Sequence, residues 1–251
     1  MSRRIMVFGA ALATVLVTAC VKISDNSDTV LSLEFDPLAS PSVVVGDSLR
    51  DSTGTLAAPT VRAFNYQGEE IVSPPIRFRA PDPGISIDSI TGVISGDSLR
   101  TTPVRVVASV GSLQALQLLD ITLRPDAVFA LDGRDTLQYS LLDTTVNISR
   151  PLTVKLIHGQ PPLDSAVRSY VISFAVVSGG NPLLAELVNG GKVSTIDTTD
   201  AGGVAGRAVR IRPIHLGAPV DSVIVNATVK FRGTPISGSP VRLVLVLMPP
   251  G

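Results

Sequence analysis

Residues 80–96 read APDPGISIDSITGVISG, and the pattern of the whole chain is clearest in them. Asp82-Pro83-Gly84 and Thr91-Gly92 are turn-forming groups, and isoleucine alternates with serine in the short runs that follow them. An alternation with a period of two is typical of a β-strand that buries one face and exposes the other. The segment therefore predicts short, half-buried strands separated by tight turns.

The same alternation continues on both sides of this segment. Strands are predicted at residues 31–35, 76–80, 104–110 and 119–123, where apolar side chains recur at every second position. Turns are predicted at Gln67-Gly68 and Val110-Gly111. No long segment shows the 3.6-residue apolar period of an amphipathic helix, so the fold class is expected to be all-β.

Residues 29–124 resemble the bacterial immunoglobulin-like repeats of the type-2 group. The resemblance rests on residues 80–96, on the apolar run 104–110, and on an opening run that ends in Gly-Asp, here Val43-Val44-Val45-Gly46-Asp47. It implies an immunoglobulin-like sandwich. Residues 97–103 form a longer connection than is usual in the family, which leaves the strand register at this point open.

Pro125 and Asp126 are predicted to form a domain junction, since they lie between two sets of strands. Residues 127–249 then show short strands with turn signals between them, as in an immunoglobulin-like sandwich. These strands are predicted at residues 136–141, 152–157, 170–177, 193–196, 204–211, 220–231 and 241–248. Residues 178–192, with two Gly-Gly pairs, are predicted to be a long mobile loop that could bind a partner.

Residues 198–205 read TTDAGGVA and resemble the Asp-x-Gly-x-x-Ala turn of type-1 bacterial immunoglobulin-like domains, which occur in invasin-type adhesins. The predicted strands 220–231 and 241–248 fit the same family pattern. The resemblance implies a second immunoglobulin-like sandwich at residues 127–249. The expected architecture is therefore two tandem immunoglobulin-like β-sandwiches, preceded by an N-terminal leader.

The leader has the three parts of an export signal. Arg3 and Arg4 give a cationic start, residues 5–17 are apolar, and small residues precede Cys20. The apolar run of about 13 residues is short for a transmembrane helix, which needs about 20. A cysteine directly after the small Ala19 makes the segment similar to a bacterial lipoprotein signal. A plain secretory signal and a twin-arginine signal remain alternatives.

The lipoprotein resemblance implies that residues 1–19 are removed, that Cys20 carries the lipid, and that residues 20–28 form a lipidated tether. It also implies a place in the cell envelope of a bacterium. The family uses aspartate after the acylated cysteine as an inner-membrane retention mark, and this chain has Val21 there. We therefore expect delivery to the outer membrane if the host has one.

Composition excludes several classes of protein. The chain has 21 basic and 21 acidic residues and no basic run, which makes it a poor candidate for nucleic acid binding. Membrane contact is expected through the acyl chains on Cys20 alone. Cys20 is the only cysteine, so a lipidated protein can form no disulfide and no thiolate metal site.

The sequence contains no recognised catalytic motif. It has no Gly-x-Ser-x-Gly elbow, no His-Glu-x-x-His helix and no phosphate-binding Gly-x-x-x-x-Gly-Lys loop. His158 and His215 fall in separate loops and are expected to face solvent. We therefore predict no catalytic residues, no cofactor and no enzymatic activity.

Aspartates are numerous but scattered, and calcium is the metal they would suit. Their spacing does not match a calcium loop, and turn formation explains them without a metal. No metal site is therefore predicted, although calcium remains an alternative. The aspartates concerned are Asp82, Asp88, Asp97, Asp132, Asp135, Asp197 and Asp200.

The function expected from these observations is structural or adhesive. A lipid-anchored module outside the cytoplasm would bind a protein or a surface polymer, or hold another molecule at a distance. The alternative is a periplasmic accessory subunit that docks onto an envelope complex. The partner is not specified by the sequence, because fold alone does not fix function.

Overall fold

The structure, a computed structural model, describes residues 29–178, 183–215 and 221–249, so the leader, Cys20 and the tether lie outside it. In this described part the regular structure consists of strands and two short 3-10 helices, at Thr144–Val146 and Pro213–His215. No helix among these residues has the length and hydropathy that a membrane crossing requires. The predicted fold class, all-β with immunoglobulin-like sandwiches, is confirmed.

The first sandwich packs a four-stranded sheet against two two-stranded sheets. The sheet has the order β2-β8-β7-β4, with β2 parallel to β8, and the pairs are β1-β3 and β5-β6. The strands are β1 Ser32–Phe35, β2 Ser42–Val44, β3 Val61–Phe64, β4 Arg77–Arg79, β5 Ile85–Ile87, β6 Ile94–Gly96, β7 Val104–Val110 and β8 Leu113–Thr122.

The segment 80–96 folds as its alternation predicts. Ile85 and Ile94 point inward and are buried, while Asp88 accepts hydrogen bonds from the N–H groups of Ile90 and Thr91 in the turn between β5 and β6. Gly84 has φ of +105°, a conformation that a side chain would strain. Turn residues therefore position two isoleucines over the sheet.

The Gly46-Asp47 motif joins β2 to β6. The Gly46 N–H donates to the Gly96 carbonyl at 2.8 Å, and the Gly96 N–H donates to the Asp47 carbonyl at 2.9 Å. This exchange closes the core around Val43, Leu119 and Ile121, whose side chains are buried. It also fixes the backbone of Asp47 at the end of the sandwich that faces residues 127–249.

The second sandwich has two larger sheets. Among the described residues, one sheet has the order β10-β21-β18-β13-β16 and the other β12-β11-β17-β14-β15, with β9 also paired to β11. A short hairpin, β19-β20, stands apart. The strands are β9 Ala127–Asp132, β10 Arg134–Gln138, β11 Leu152–His158, β12 Ser165–Ala166, β13 Val171–Ser178, β14 Ala185–Asn189, β15 Lys192–Val193, β16 Ile196–Thr198, β17 Val204–Ile211, β18 Ser222–Thr228, β19 Lys230–Phe231, β20 Thr234–Pro235 and β21 Val241–Met248.

One apolar core fills the space between these two sheets. Phe174, Val225 and Leu243 reach it from the first sheet, and Leu156 and Val209 from the second. All five are almost fully buried. Burial of apolar surface on this scale is the main term that stabilises a domain without disulfides.

The Asp200 turn forms as the type-1 resemblance implies. Asp200 Oδ1 accepts hydrogen bonds from the N–H groups of Gly202 at 2.8 Å and Val204 at 2.9 Å. Gly203 has φ of +76° and lies against the backbone of Leu156. The turn thus sets the register of β17 against β11.

The prediction of a mobile loop at residues 178–192 is wrong. Residues 179–182 lie outside the described part, but β14 follows them, with Leu187 and Val188 buried in the sandwich. Gly190 and Gly191 both have positive φ and form the tight turn from β14 to β15. The two Gly-Gly pairs flank a core strand, so shortening this segment would disrupt the sandwich.

Several strand boundaries also differ from the prediction. β9 follows the junction directly and was not predicted, because its outward residues Phe129 and Leu131 are apolar and hide the alternation. β8 begins at Leu113, before the predicted start at residue 119. The prediction missed this part because Leu116 and Leu118 are exposed apolar residues that hide the alternation. The strand predicted at residues 193–196 is instead β15 and β16, which belong to different sheets.

Strand pairing separates the two sandwiches. The pairs recorded for β1–β8 stay within residues 32–122, and those for β9–β21 within residues 127–248. We therefore propose domains at residues 29–124 and 127–249.

A fragment of residues 27–124 is expected to fold alone, with a β circular-dichroism spectrum and cooperative melting. An unfolded fragment beside a folded full chain would contradict this boundary.

Candidate functional site

The candidate site is a cleft between the two sandwiches, with a volume of about 320 Å³. Its first wall comes from the segment around β2 and the loop that follows, and its second wall from β13, β18 and the β19 hairpin. Its lining is mixed, with charged side chains and hydroxyl groups beside apolar side chains and the rings of Tyr170 and Phe231. Such clefts at domain interfaces are common ligand sites.

Asp47 is the centre of an ion-pair network in this cleft. Its carboxylate is 5% exposed and accepts hydrogen bonds from Arg50 on its own sandwich, at 3.0 and 3.1 Å. Arg232 of the second sandwich donates two more, at 3.0 and 2.9 Å. The Ser48 N–H adds a fifth. We call Asp47, Arg50 and Arg232 the clamp, because they connect the two sandwiches.

The electrostatics of the clamp follow from its geometry. Burial alone would raise the pKa of Asp47, but hydrogen bonds from Arg232 and Arg50 outweigh it and lower this pKa to about 2. The Asp47 carboxylate in turn raises the pKa of Arg232. Burial, together with the negative charge of Asp47, raises the pKa of Tyr170 to about 12. Asp47 and Arg232 are therefore both charged at physiological pH.

Other contacts reinforce the clamp. Ser42 Oγ donates to the Ser169 carbonyl at 2.6 Å, and Ser169 Oγ donates to Asp120 Oδ2 at 2.6 Å. Arg168 donates to the carbonyl groups of Thr101, at 2.7 Å, and Arg100. The connection 97–103, whose register the sequence left open, thus contacts the second sandwich. The junction carries many more contacts than a bare linker would.

The linker itself is held at Asp126. Its carboxylate accepts a hydrogen bond from the Gly159 N–H at 2.8 Å, and His158 Nδ1 lies 2.8 Å from the same oxygen. His158 Nδ1 is also 3.0 Å from the Arg124 carbonyl. The Arg124 guanidinium lies over the Phe231 ring, 5.4 Å from its centre. These contacts limit the freedom of the chain between the sandwiches.

Other residues singled out in the sequence have local partners. Cys20 lies outside the described residues, and so does the side chain of His215. Asp82, Asp135 and Asp197 pair with Arg105, Arg150 and Arg207. Asp88 and Asp200 cap turns, as predicted, and Asp97 accepts a hydrogen bond from Ser86. The Asp132 N–H donates to Thr153 Oγ1.

The described residues contain no group of three or more histidine, cysteine, aspartate or glutamate side chains placed to hold a metal. His158 is the last residue of β11, and its side chain is partly exposed. Its contact with Asp126 was not predicted. This contact holds the linker residue Asp126 against the end of β11, which is a structural role.

Sequence reasoning missed the clamp. Asp47 and Arg232 are 185 positions apart, and neither belongs to a motif with a known charge partner. A local signal exists only for the turn, since Arg232-Gly233 has positive φ at both residues, as in a tight β-hairpin. That signal predicts where Arg232 lies on its hairpin and says nothing about its partner.

Comparisons with known proteins found no matching family model and no matching curated protein. Among solved structures, domains 4 and 5 of the S-layer protein SbsC are 10% identical, with a TM-score of 0.32, over 86% of this chain and 96% of that one. The D0-D1 domain of intimin is 15% identical, with a TM-score of 0.26, over 86% and 95%. Human protocadherin-24 EC1-2 is 12% identical, with a TM-score of 0.27, over 89% and 100%. Similarity at this level transfers no function to the chain.

The lowered pKa of Asp47 predicts a pH dependence. A carboxyl whose pKa falls from 3.8 to about 2 on folding stabilises the folded state above pH 4, and the stabilisation is lost as the pH falls towards 2. After allowance for the exposed side of the clamp, it amounts to about 1–2 kcal/mol. In urea unfolding, wild type should be more stable than Asp47→Asn by this amount at pH 7 and by much less near pH 2. A constant difference across this range would contradict the assignment.

Proposed function

We propose that this chain is a lipid-anchored extracytoplasmic protein of the bacterial cell envelope that serves as a structural or adhesive module. The observation that carries the proposal is the clamped junction. Asp47, Arg232 and the hydrogen bonds around Ser169 hold two sandwiches in one orientation. A spacer or adhesin needs such a fixed orientation to present its far end, whereas the described residues offer no convergent catalytic group.

The path of the first sandwich supports an anchor at one end. Leu33 of β1 packs near Ala108, beside the β7–β8 turn, while Phe35 also reaches the cluster that contains Val104. β1 therefore runs from the β7–β8 turn towards the junction. If the tether joins the first sandwich at residue 29, the second sandwich lies at the opposite end of the molecule and points away from the membrane.

The anchor itself is inferred from the leader and Cys20. Lipid on this cysteine would place the protein in the envelope, and Val21 in place of aspartate favours the outer membrane of a diderm host. Density-gradient separation of membranes tests this location. Recovery with the inner membrane would contradict it.

One observation favours the alternative function, a periplasmic accessory subunit. Leu116 and Leu118 on the outer face of β8 are each 53% exposed, beside Arg79 and Arg105 of the neighbouring strands. Exposed apolar side chains on one sheet face are typical of surfaces that a protein partner covers. A subunit docked in this way would lie inside the envelope.

Protease added to intact cells decides between the two functions. A surface-exposed adhesive module should be removed within the time that leaves a periplasmic marker protein intact. Complete protection on intact cells, with digestion after the outer barrier is opened, would overturn the adhesive function and support the accessory one.

A further inference from the structure

The cleft between the sandwiches has an excess of positive charge. Arg50, Lys230 and Arg232 line it, against the two carboxylates of Asp47 and Asp51. Asp47 is shared by two guanidinium groups, so one carboxylate balances two cations. No hydrogen bond or ion pair of the Lys230 ammonium is recorded within the described residues, and Lys230 is exposed. The cleft can therefore accept an anionic group without displacing an existing pair.

The remaining lining supplies neutral donors. The hydroxyl groups of Ser52, Ser173 and Thr228 face a shared space with Lys230 and have no recorded partner in the described part of the chain. Hydroxyl and ammonium donors together suit a carboxylate, which accepts several hydrogen bonds. The first sandwich contributes one of these hydroxyls and the second contributes two, so the complete set exists only when the sandwiches are clamped.

Aromatic rings in the cleft are already engaged. The guanidinium groups of Arg124 and Arg232 lie over Phe231, at 5.4 and 5.3 Å from the ring centre. Tyr170 donates its hydroxyl to the Lys230 carbonyl at 2.6 Å. The Phe231 ring is therefore already in contact with two guanidinium groups. A cleft of about 320 Å³ is also at the small end of ligand sites, which favours a side chain or a chain end.

We propose that this cleft binds a carboxylate of an acidic peptide segment, held by Lys230 with hydroxyl donors from both sandwiches. The inference rests on the proposed binding role of the protein and names the chemistry of its partner. Lys230 is the specific determinant, because it lies outside the clamp and can be changed without breaking it. Binding should weaken with added salt, since exposed charges are screened.

The test uses the full-length protein in detergent micelles and titration calorimetry. The probes are acetyl-Glu-Glu-Glu-amide, its neutral counterpart acetyl-Gln-Gln-Gln-amide, and trigalacturonate as an acidic sugar. We expect the glutamate peptide to bind about fivefold more tightly than the glutamine peptide. Lys230→Gln should weaken the glutamate peptide about threefold. Lys192→Gln, an exposed lysine on β15, is the matched control and should change nothing.

Equal binding of the acidic and neutral peptides would overturn the proposal, and so would a Lys230→Gln variant that binds as the wild type does. Tighter binding of trigalacturonate than of the peptide would assign the cleft to a carbohydrate and contradict the peptide. Melting curves of both variants show whether they are folded. If the titration fails but protease removes the protein from intact cells, the acidic peptide is the wrong ligand and the adhesive function is still supported.

Discussion

Replacing Cys20 by serine is expected to leave either an unprocessed chain or a processed product that is soluble. Serine has no thiol to which the lipid could be attached. The chain would therefore stay unprocessed or be exported as a soluble product. The effect should be nearly complete, because each buried methylene of an acyl chain contributes about 0.8 kcal/mol and two or more chains anchor stably. No basic patch in the sequence would replace them. Fractionation of cells that express each variant measures the effect.

Ser24→Ala, in the same tether, is the control for Cys20→Ser and should remain with the membranes. Signal cleavage is followed by the mass of the product. A Cys20→Ser protein that is exported, cleaved and still found in the membrane fraction would show that something other than lipid holds the protein there.

Gly203→Ala is expected to destabilise the second sandwich strongly. Gly203 has φ of +76°, and an added Cβ would lie 2.5 Å from the Leu156 carbonyl oxygen. Since Leu156 is fully buried on β11, the strand cannot move aside without opening the core. We expect a loss of about 3 kcal/mol or more in the free energy of unfolding, measured by urea denaturation.

Gly190→Ala separates the two causes of this loss. Gly190 also has positive φ, at +54°, but an added Cβ would meet nothing within 4 Å. This variant should therefore lose only the conformational term, about 1 kcal/mol. Equal losses at both positions would show that the close approach to Leu156 has no energetic weight.

The sequence predicts much of the fold because local chemistry determines it. Gly84, Asp88 and Asp200 act within a few residues of themselves, and each forms the turn that its motif implies. Strands β17 and β21 have the predicted bounds, since their alternation continues from end to end. Period-two patterning and turn residues are both visible in a single sequence.

What could not be predicted depends on distant contacts or on unusual exposure. β9 was missed because apolar Phe129 faces outward, and β14 because the Gly-Gly pairs beside it are typical of loops. The clamp joins Asp47 to Arg232 across most of the chain, and sequence spacing carries no information about such a pair. The candidate site therefore emerges only when both sandwiches are placed together.

The most direct test of a clamped junction is the distance between the two sandwiches. Spin labels are attached in a Cys20→Ser background at Ser112→Cys, beside the β7–β8 turn, and at Arg242→Cys on β21, both exposed. Pulsed electron paramagnetic resonance should give one narrow distance distribution, which Asp47→Asn broadens because Arg232 loses its charged partner. A distribution already broad with Asp47 in place, or one that Asp47→Asn leaves unchanged, would contradict the clamp.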